Sequence, residues 1–85
     1  MSYQLLIERP AQKTLGSLGG ADRARITEAI RSLREAPRPA GAKKLSARDA
    51  WRIRVGVYRV IYEFYDDRLV VLVIRIGHRR EVYRR

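Results

Sequence analysis

Apolar and polar positions alternate at the start of the chain: Tyr3, Leu5 and Ile7 fall on one side, and Gln4, Leu6 and Glu8 on the other. A period of two marks a half-buried strand, and Pro10 ends it. Proline suits the first turn of a helix, where its missing N–H would be unpaired anyway. Ala11, Leu15 and Leu18 then recur at i, i+4 and i+7, one face of a short helix. Gly16 weakens that helix by about 1 kcal/mol relative to alanine. Beyond Gly19-Gly20 a stronger helix is expected from Asp22. It carries Ile26, Ala29, Ile30 and Leu33 on one stripe and Arg23, Arg25, Glu28, Arg31 and Arg34 on the other faces. Pro37 is expected to terminate it. Helices this short do not stand alone, so the pair should form a hairpin lying on a sheet.

Pro37 to Ser46, with Pro37, Pro39, Gly41 and Lys43-Lys44, reads as a connecting loop that its prolines hold extended. The period of two returns at Trp51, Ile53 and Val55, interleaved with Arg52 and Arg54. Gly56-Val57 suits a two-residue type II′ hairpin turn, with glycine at its first central position. Tyr58, Val60, Tyr62 and Phe64 form the return strand against Arg59, Ile61 and Glu63; Asp66-Asp67 is the next turn, and Leu69 to Ile76 the last strand. The order is β-α-α-β-β-β, an α+β fold with a helical hairpin packed on one face of a mainly antiparallel sheet. Residues 1–85 read as a single domain.

The hairpin turn sets a register. If Val55 pairs with Tyr58, Arg54 lies opposite Arg59, and Arg52 is on the same face two residues along. Opposed residues of an antiparallel pair share a face at about 4.5–5.5 Å between Cβ atoms. The other face collects Trp51, Ile53, Val55, Tyr58, Val60, Tyr62 and Phe64 and, carried through the next turn, Leu69, Val71 and Val73. That face is the one the helices should cover. Ile61, Val70, Leu72, Ile74 and Ile76 are expected beside the arginines, too apolar to stay wet. A partner's hydrophobic stripe or the C-terminal tail should cover them. Like charges directly opposed cost stability, so Arg52, Arg54 and Arg59 point to an anion held between them. Arginine suits phosphate, which its guanidinium grips through two parallel hydrogen bonds.

Charge sharpens this picture. Among 85 residues, 19 Lys+Arg stand against 9 Asp+Glu, a formal net charge of +10. Such an imbalance on a small domain favours polyanionic partners: nucleic acid, an acidic protein or an anionic membrane surface. Lys43 and Lys44 are either solvated loop charges or rim contacts to such a partner. The absence of cysteine suits the cytosol, and neither a signal peptide nor a membrane-spanning run is visible. A cytoplasmic protein is expected. One histidine, no cysteine and no carboxylate cluster make a metal site or a cofactor unexpected. No Ser–His–Asp set or phosphate-cradling glycine loop appears. Outside the strands, His78, Arg79 and Tyr83 are the side chains suited to proton chemistry.

Several stretches resemble, in order and spacing, the RelE family of toxins within the RelE/ParE superfamily. They are Glu8-Arg9-Pro10-Ala11, Ala42-Lys43-Lys44-Leu45, Trp51-Arg52-Ile53-Arg54-Val55-Gly56, Tyr58-Arg59-Val60-Ile61-Tyr62 and Gly77-His78-Arg79-Arg80-Glu81-Val82-Tyr83. The resemblance implies the same fold and a metal-independent endoribonuclease that cuts mRNA in the ribosomal A site. In that reaction the ribose 2′-OH attacks the adjacent phosphodiester. It implies that Arg52 and Arg54, at positions where some members have lysine, hold the RNA backbone; Lys43, Lys44 and Arg80 are further RNA-binding candidates by their charge. Arg59 and Arg79 are expected to stabilise the phosphorane, and Tyr83 and His78 to divide the proton transfers. The implied partners are the ribosome, mRNA and a co-encoded acidic antitoxin, RelB-like or similar. Two other readings stay open: a ParE-like toxin that inhibits DNA gyrase, and a homologue that binds RNA or an acidic protein without turnover.

Overall fold

Alternation at the N-terminus builds strand β1 (Gln4–Ile7), with Leu5 and Ile7 packed on the core and Leu6 43% exposed on the other face. A computed structural model describes residues 2–45 and 49–78 of the chain. Helix α1 (Arg9–Ser17) has Pro10 in its first turn, as expected, and buries Ala11, with Leu15 and Leu18 against the core. Helix α2 (Gly20–Ser32) starts two residues before Asp22, which instead sits in its first turn. A carboxylate is favoured there by the positive end of the helix dipole.

The helix also ends earlier than Pro37 would impose. Leu33, Arg34 and Glu35 donate to the carbonyls of Ile30, Arg31 and Ser32, the tight i→i−3 pattern that closes a helix. The Arg34 carbonyl then accepts from the Tyr3 N–H at 2.8 Å, and the Arg34 Nε donates to the Tyr3 carbonyl at 3.1 Å. Tertiary bonding to the segment before β1, not the proline, stops the helix.

Lys43-Lys44, expected in a loop, is a two-residue edge strand, β2 (Lys43–Lys44), antiparallel to β3 (Trp51–Val55). The Ala42 N–H bonds the Pro39 carbonyl, and Gly41 takes φ +92°, turning the chain back along β3. A very short lysine edge resists pairing with other chains. Strand β4 (Tyr58–Tyr65) follows β3 through Gly56-Val57 in the expected register, with Val55 opposite Tyr58 and Arg54 opposite Arg59. Within that turn only Gly56 has positive φ, at 62°, as a type II′ turn requires. Strand β5 (Val70–His78) begins one residue later than expected and runs two residues further. Its turn has four residues, because Tyr65 pairs with Val70 and Leu69 adopts φ +52° inside the turn. The sheet order is β1-β5-β4-β3-β2, with β1 parallel to β5 and the other pairs antiparallel.

One irregularity re-sorts the faces. Ile61 pairs with Arg75 but Tyr62 pairs with Val73, so Ile74 has no residue opposite it. Such a bulge reverses the in–out alternation beyond it. Ile76, expected beside the arginines, therefore lies opposite Val60 in the core, 3% exposed. Arg75 takes the opposite side. The helices cover Val60, Tyr62, Val71 and Val73, all fully buried with Ile26, Ile30 and Leu33. Trp51 and Phe64 stack at 5.6 Å between ring centroids on this side. The Tyr62 hydroxyl reaches the Pro37 carbonyl at 2.5 Å, tying the loop after α2 to the sheet.

Candidate nucleic-acid interface

The face of the sheet turned away from the helices carries the cations. Two cross-strand rows define it. In one, Lys43, Arg52, Ile61 and Arg75 lie side by side on β2, β3, β4 and β5; in the next, Arg54, Arg59 and Gly77 lie on β3, β4 and β5. Regular alternation in β3 and β4 makes Arg52, Arg54 and Arg59 coplanar, as the sequence implies. Arg54 is exposed and Arg59 half-buried.

Arg52 is different: it is only 7% exposed, and its Nε has no hydrogen-bond partner among the described residues. It borders a depression of about 310 Å³ lined by Ala40, Gly41, Lys43, Arg52, Ile53 and Arg54. A buried donor left unpaired costs about 1–3 kcal/mol. A guanidinium held this way beside a cationic hollow is prepared for an anion.

Other sites on the same face explain why it is not all cationic. Ile61 is 5% exposed beneath Ala50 and Leu45, whose backbones are joined by a Leu45 N–H to Ala50 carbonyl bond of 2.8 Å. Thus Leu45 and Ala50 cover Ile61, where a partner or the tail was expected. At the far end of the face, Glu63 accepts a hydrogen bond from the Tyr65 hydroxyl. That bond raises the Tyr65 pKa. Tyr3 is raised by its 2.5 Å bond to Asp66, and burial pushes Tyr62 up to about 12. A raised hydroxyl is a poor base, so these three tyrosines are unsuited to proton abstraction.

The remaining candidates separate. Lys44 pairs with Trp51, on the helix-covered side, and makes an ion pair with Asp49 at 3.7 Å. Its partnered charge sits apart from the strip. His78 pairs with Tyr58 and meets its ring edge-on at 6.2 Å between centroids. Since Tyr58 packs on the helix-side core, the imidazole is on the opposite face from Arg59. Arg79, Arg80 and Tyr83 lie outside the described residues. Among the described residues no three His, Asp or Glu side chains converge as a metal-binding set, and no helix is long and apolar enough to cross a membrane.

Sequence reasoning missed Arg75. The signal was present: unbroken alternation from Val71 and Val73 would have buried Arg75 among them. A cation at a core position is a contradiction that a bulge resolves.

Residues 5–83 match the family described as the ParE toxin of the type II toxin-antitoxin system, parDE. Over 87 residues the chain is 31% identical to the mRNA interferase toxin RelE of Escherichia coli strain K12, covering 98% of this chain and 92% of that protein. The fold matches the crystal structure of the archaeal RelE–RelB complex from Pyrococcus horikoshii with a TM-score of 0.84 and 30% identity, over 95% of this chain and 99% of that one. The intact RelBE toxin–antitoxin complex of Escherichia coli gives 0.79 and 28%, over 91% and 96% of the two chains.

Proposed function

The chain belongs to the RelE family of type II toxin–antitoxin toxins, within the RelE/ParE superfamily, and from that premise we propose that it is an mRNA interferase. It is the toxin of a toxin–antitoxin pair, an endoribonuclease acting on mRNA in the ribosomal A site in the cytoplasm and neutralised by an acidic, RelB-like antitoxin. The observation that carries this reading is the buried, unpaired Nε of Arg52 at a hollow shared with Arg54 and Lys43. Relatives named as mRNA interferases favour it over gyrase inhibition.

The reaction needs three things from the protein. RNA must be held so that the 2′-oxygen, phosphorus and leaving 5′-oxygen come into line, which is the work of Lys43, Arg52 and Arg54. Negative charge building on the phosphorane must be met by fixed cations; Arg59 supplies one and Arg79 a second. A base must take the 2′-OH proton. Tyr83 is assigned this role. The new P–O2′ bond forms as the P–O5′ bond breaks, giving a 2′,3′-cyclic phosphate and a 5′-hydroxyl. The leaving oxygen takes its proton from water, because His78 faces away from the strip. No step requires a metal.

Inducing the wild type and an Arg59→Ala/Tyr83→Phe variant, and mapping mRNA ends from each culture, tests the proposal. Growth arrest with cleaved mRNA is expected for the wild type, and neither for the variant. Arrest that survives the double substitution with intact mRNA and altered supercoiling would overturn it in favour of gyrase.

A further inference from the structure

The bulge at Ile74 has a chemical consequence as well as a packing one. It delivers Arg75 to the cationic face directly opposite Ile61 and as the diagonal neighbour of Arg59, which pairs with Gly77 two residues along. Diagonal neighbours on one sheet face are about 7–8 Å apart, within reach of long side chains. Arg75 is exposed. It forms no ion pair or hydrogen bond with the described residues, although other exposed cations find carboxylates: Arg25 with Asp22, Lys44 with Asp49 and Arg68 with Asp67. Glu63, the acidic residue of β3–β5 on this face, is engaged by Tyr65. A bulge that needed only to bury Ile76 could have set any polar residue at the next position. It sets an arginine as the diagonal neighbour of Arg59, close enough for the two long side chains to reach phosphates of one strand.

We infer that Arg75 is an RNA-binding residue, gripping a backbone phosphate on the β5 side of Arg59 while Lys43, Arg52 and Arg54 grip on the β3 side. RNA then crosses the sheet from β2 to β5, and Arg59 sits between two phosphate contacts. The position is set by the bulge: with unbroken alternation the same side chain would point into the helix-covered core. This inference rests on the ribonuclease reading for the identity of the anion, and its test separates the two.

The probe is a fluorescein-labelled single-stranded RNA oligonucleotide, bound to the full chain in the inactive Arg59→Ala background and titrated by anisotropy across a salt series. Turnover is measured separately on ribosomes carrying a defined mRNA. Arg75→Gln should lower the slope of log affinity against log salt by about 0.7, the loss of one phosphate contact to a single strand. It should also reduce kcat/KM by about tenfold, the effect of losing a charge-assisted hydrogen bond. Arg75→Lys should keep the slope and lose part of the turnover, because the charge stays and the bidentate fork goes. Arg68→Gln, one charge removed at the far end of the sheet, should leave both unchanged. An unaltered slope for Arg75→Gln, or an equal drop for Arg68→Gln, would overturn the assignment. If the wild type cleaves nothing, the ribonuclease reading falls, and the binding slopes still decide whether Arg75 holds RNA. Should Arg75→Gln fail to fold, an Arg75→Lys variant identical to wild type in turnover would count against it.

Discussion

Replacing Arg54 by glutamine should make this protein more stable and less able to bind RNA. Arg54 and Arg59 are directly opposed across β3 and β4, with Cβ atoms about 4.5–5.5 Å apart and charged ends that splay further. At a charge separation of about 8 Å, Coulomb's law gives a repulsion of about 0.5 kcal/mol in bulk water and about 2 kcal/mol at an effective dielectric of 20. Arg54 is exposed and Arg59 half-buried, which favours the lower end. Cross-strand charge pairs measured elsewhere span about 0.2–1 kcal/mol. Relief of about 0.5–1 kcal/mol corresponds to a rise of about 2–8 °C in Tm for a domain of this size. Thermal unfolding followed by circular dichroism at low and high salt provides the assay. Passing from about 0.01 M to about 1 M salt shortens the screening length from about 30 Å to about 3 Å. The gap between variant and wild type should therefore shrink with salt, while Arg54→Lys, which keeps the charge, should show little gain. RNA affinity should fall in the same glutamine variant. A lower Tm, or a gap indifferent to salt, would show that the arginines do not repel each other and remove the argument that an anion belongs between them.

Tyr62→Phe should cost about 1–2 kcal/mol at neutral pH by leaving the Pro37 carbonyl unpaired. Because burial lifts the Tyr62 hydroxyl to about 12, above the ordinary value near 10, its contribution is complete below about pH 10 and lost as pH rises through about 12. Urea midpoints of the two proteins should converge across that interval; a constant difference would refute the coupling. Ile76→Ala should cost about 2–5 kcal/mol as a core truncation, whereas Arg75→Ala should stay within about 0.5 kcal/mol; the reverse order in chemical denaturation would place the bulge elsewhere. His78→Ala should leave the pH–rate profile of RNA cleavage unchanged and lower stability slightly through the lost Tyr58 contact. A changed profile would return the imidazole to the chemistry.

The sequence carried the fold because its signals were local. Alternation in Trp51–Val55 and Tyr58–Phe64, the Gly56-Val57 turn and the stripe Ile26, Ala29, Ile30 and Leu33 each fix their own element, and the observed elements follow them. The arginine strip was legible for the same reason, since one tight turn determines that Arg54 meets Arg59. What escaped depends on contacts between distant segments. Helix α2 stops where Tyr3 captures the Arg34 backbone, a bond invisible along the chain. Lys43-Lys44 becomes a strand because β3 offers an edge. The bulge at Ile74 is hidden by two adjacent apolar residues, Val73 and Ile74, either of which could have faced the core. The face of His78 depends on the same bulge, which sets it opposite Tyr58 and not beside Arg59, a placement that local sequence does not reveal.

Crowded cations also bear on how the toxin is held in check. Lys43, Arg52, Arg54, Arg59 and Arg75 share one face, and their mutual repulsion is present whenever the face is bare. An acidic antitoxin segment laid across them would relieve that repulsion and supply acceptors for Arg52, so binding adds to the stability of the fold. On the proposed ribonuclease reading, the same segment would occupy the phosphate positions and would compete with RNA for one set of guanidinium groups. Repulsion that weakens the free toxin is then part of what makes either ligand bind. A substitution such as Arg54→Gln should therefore weaken the grip on RNA and the grip of the antitoxin together.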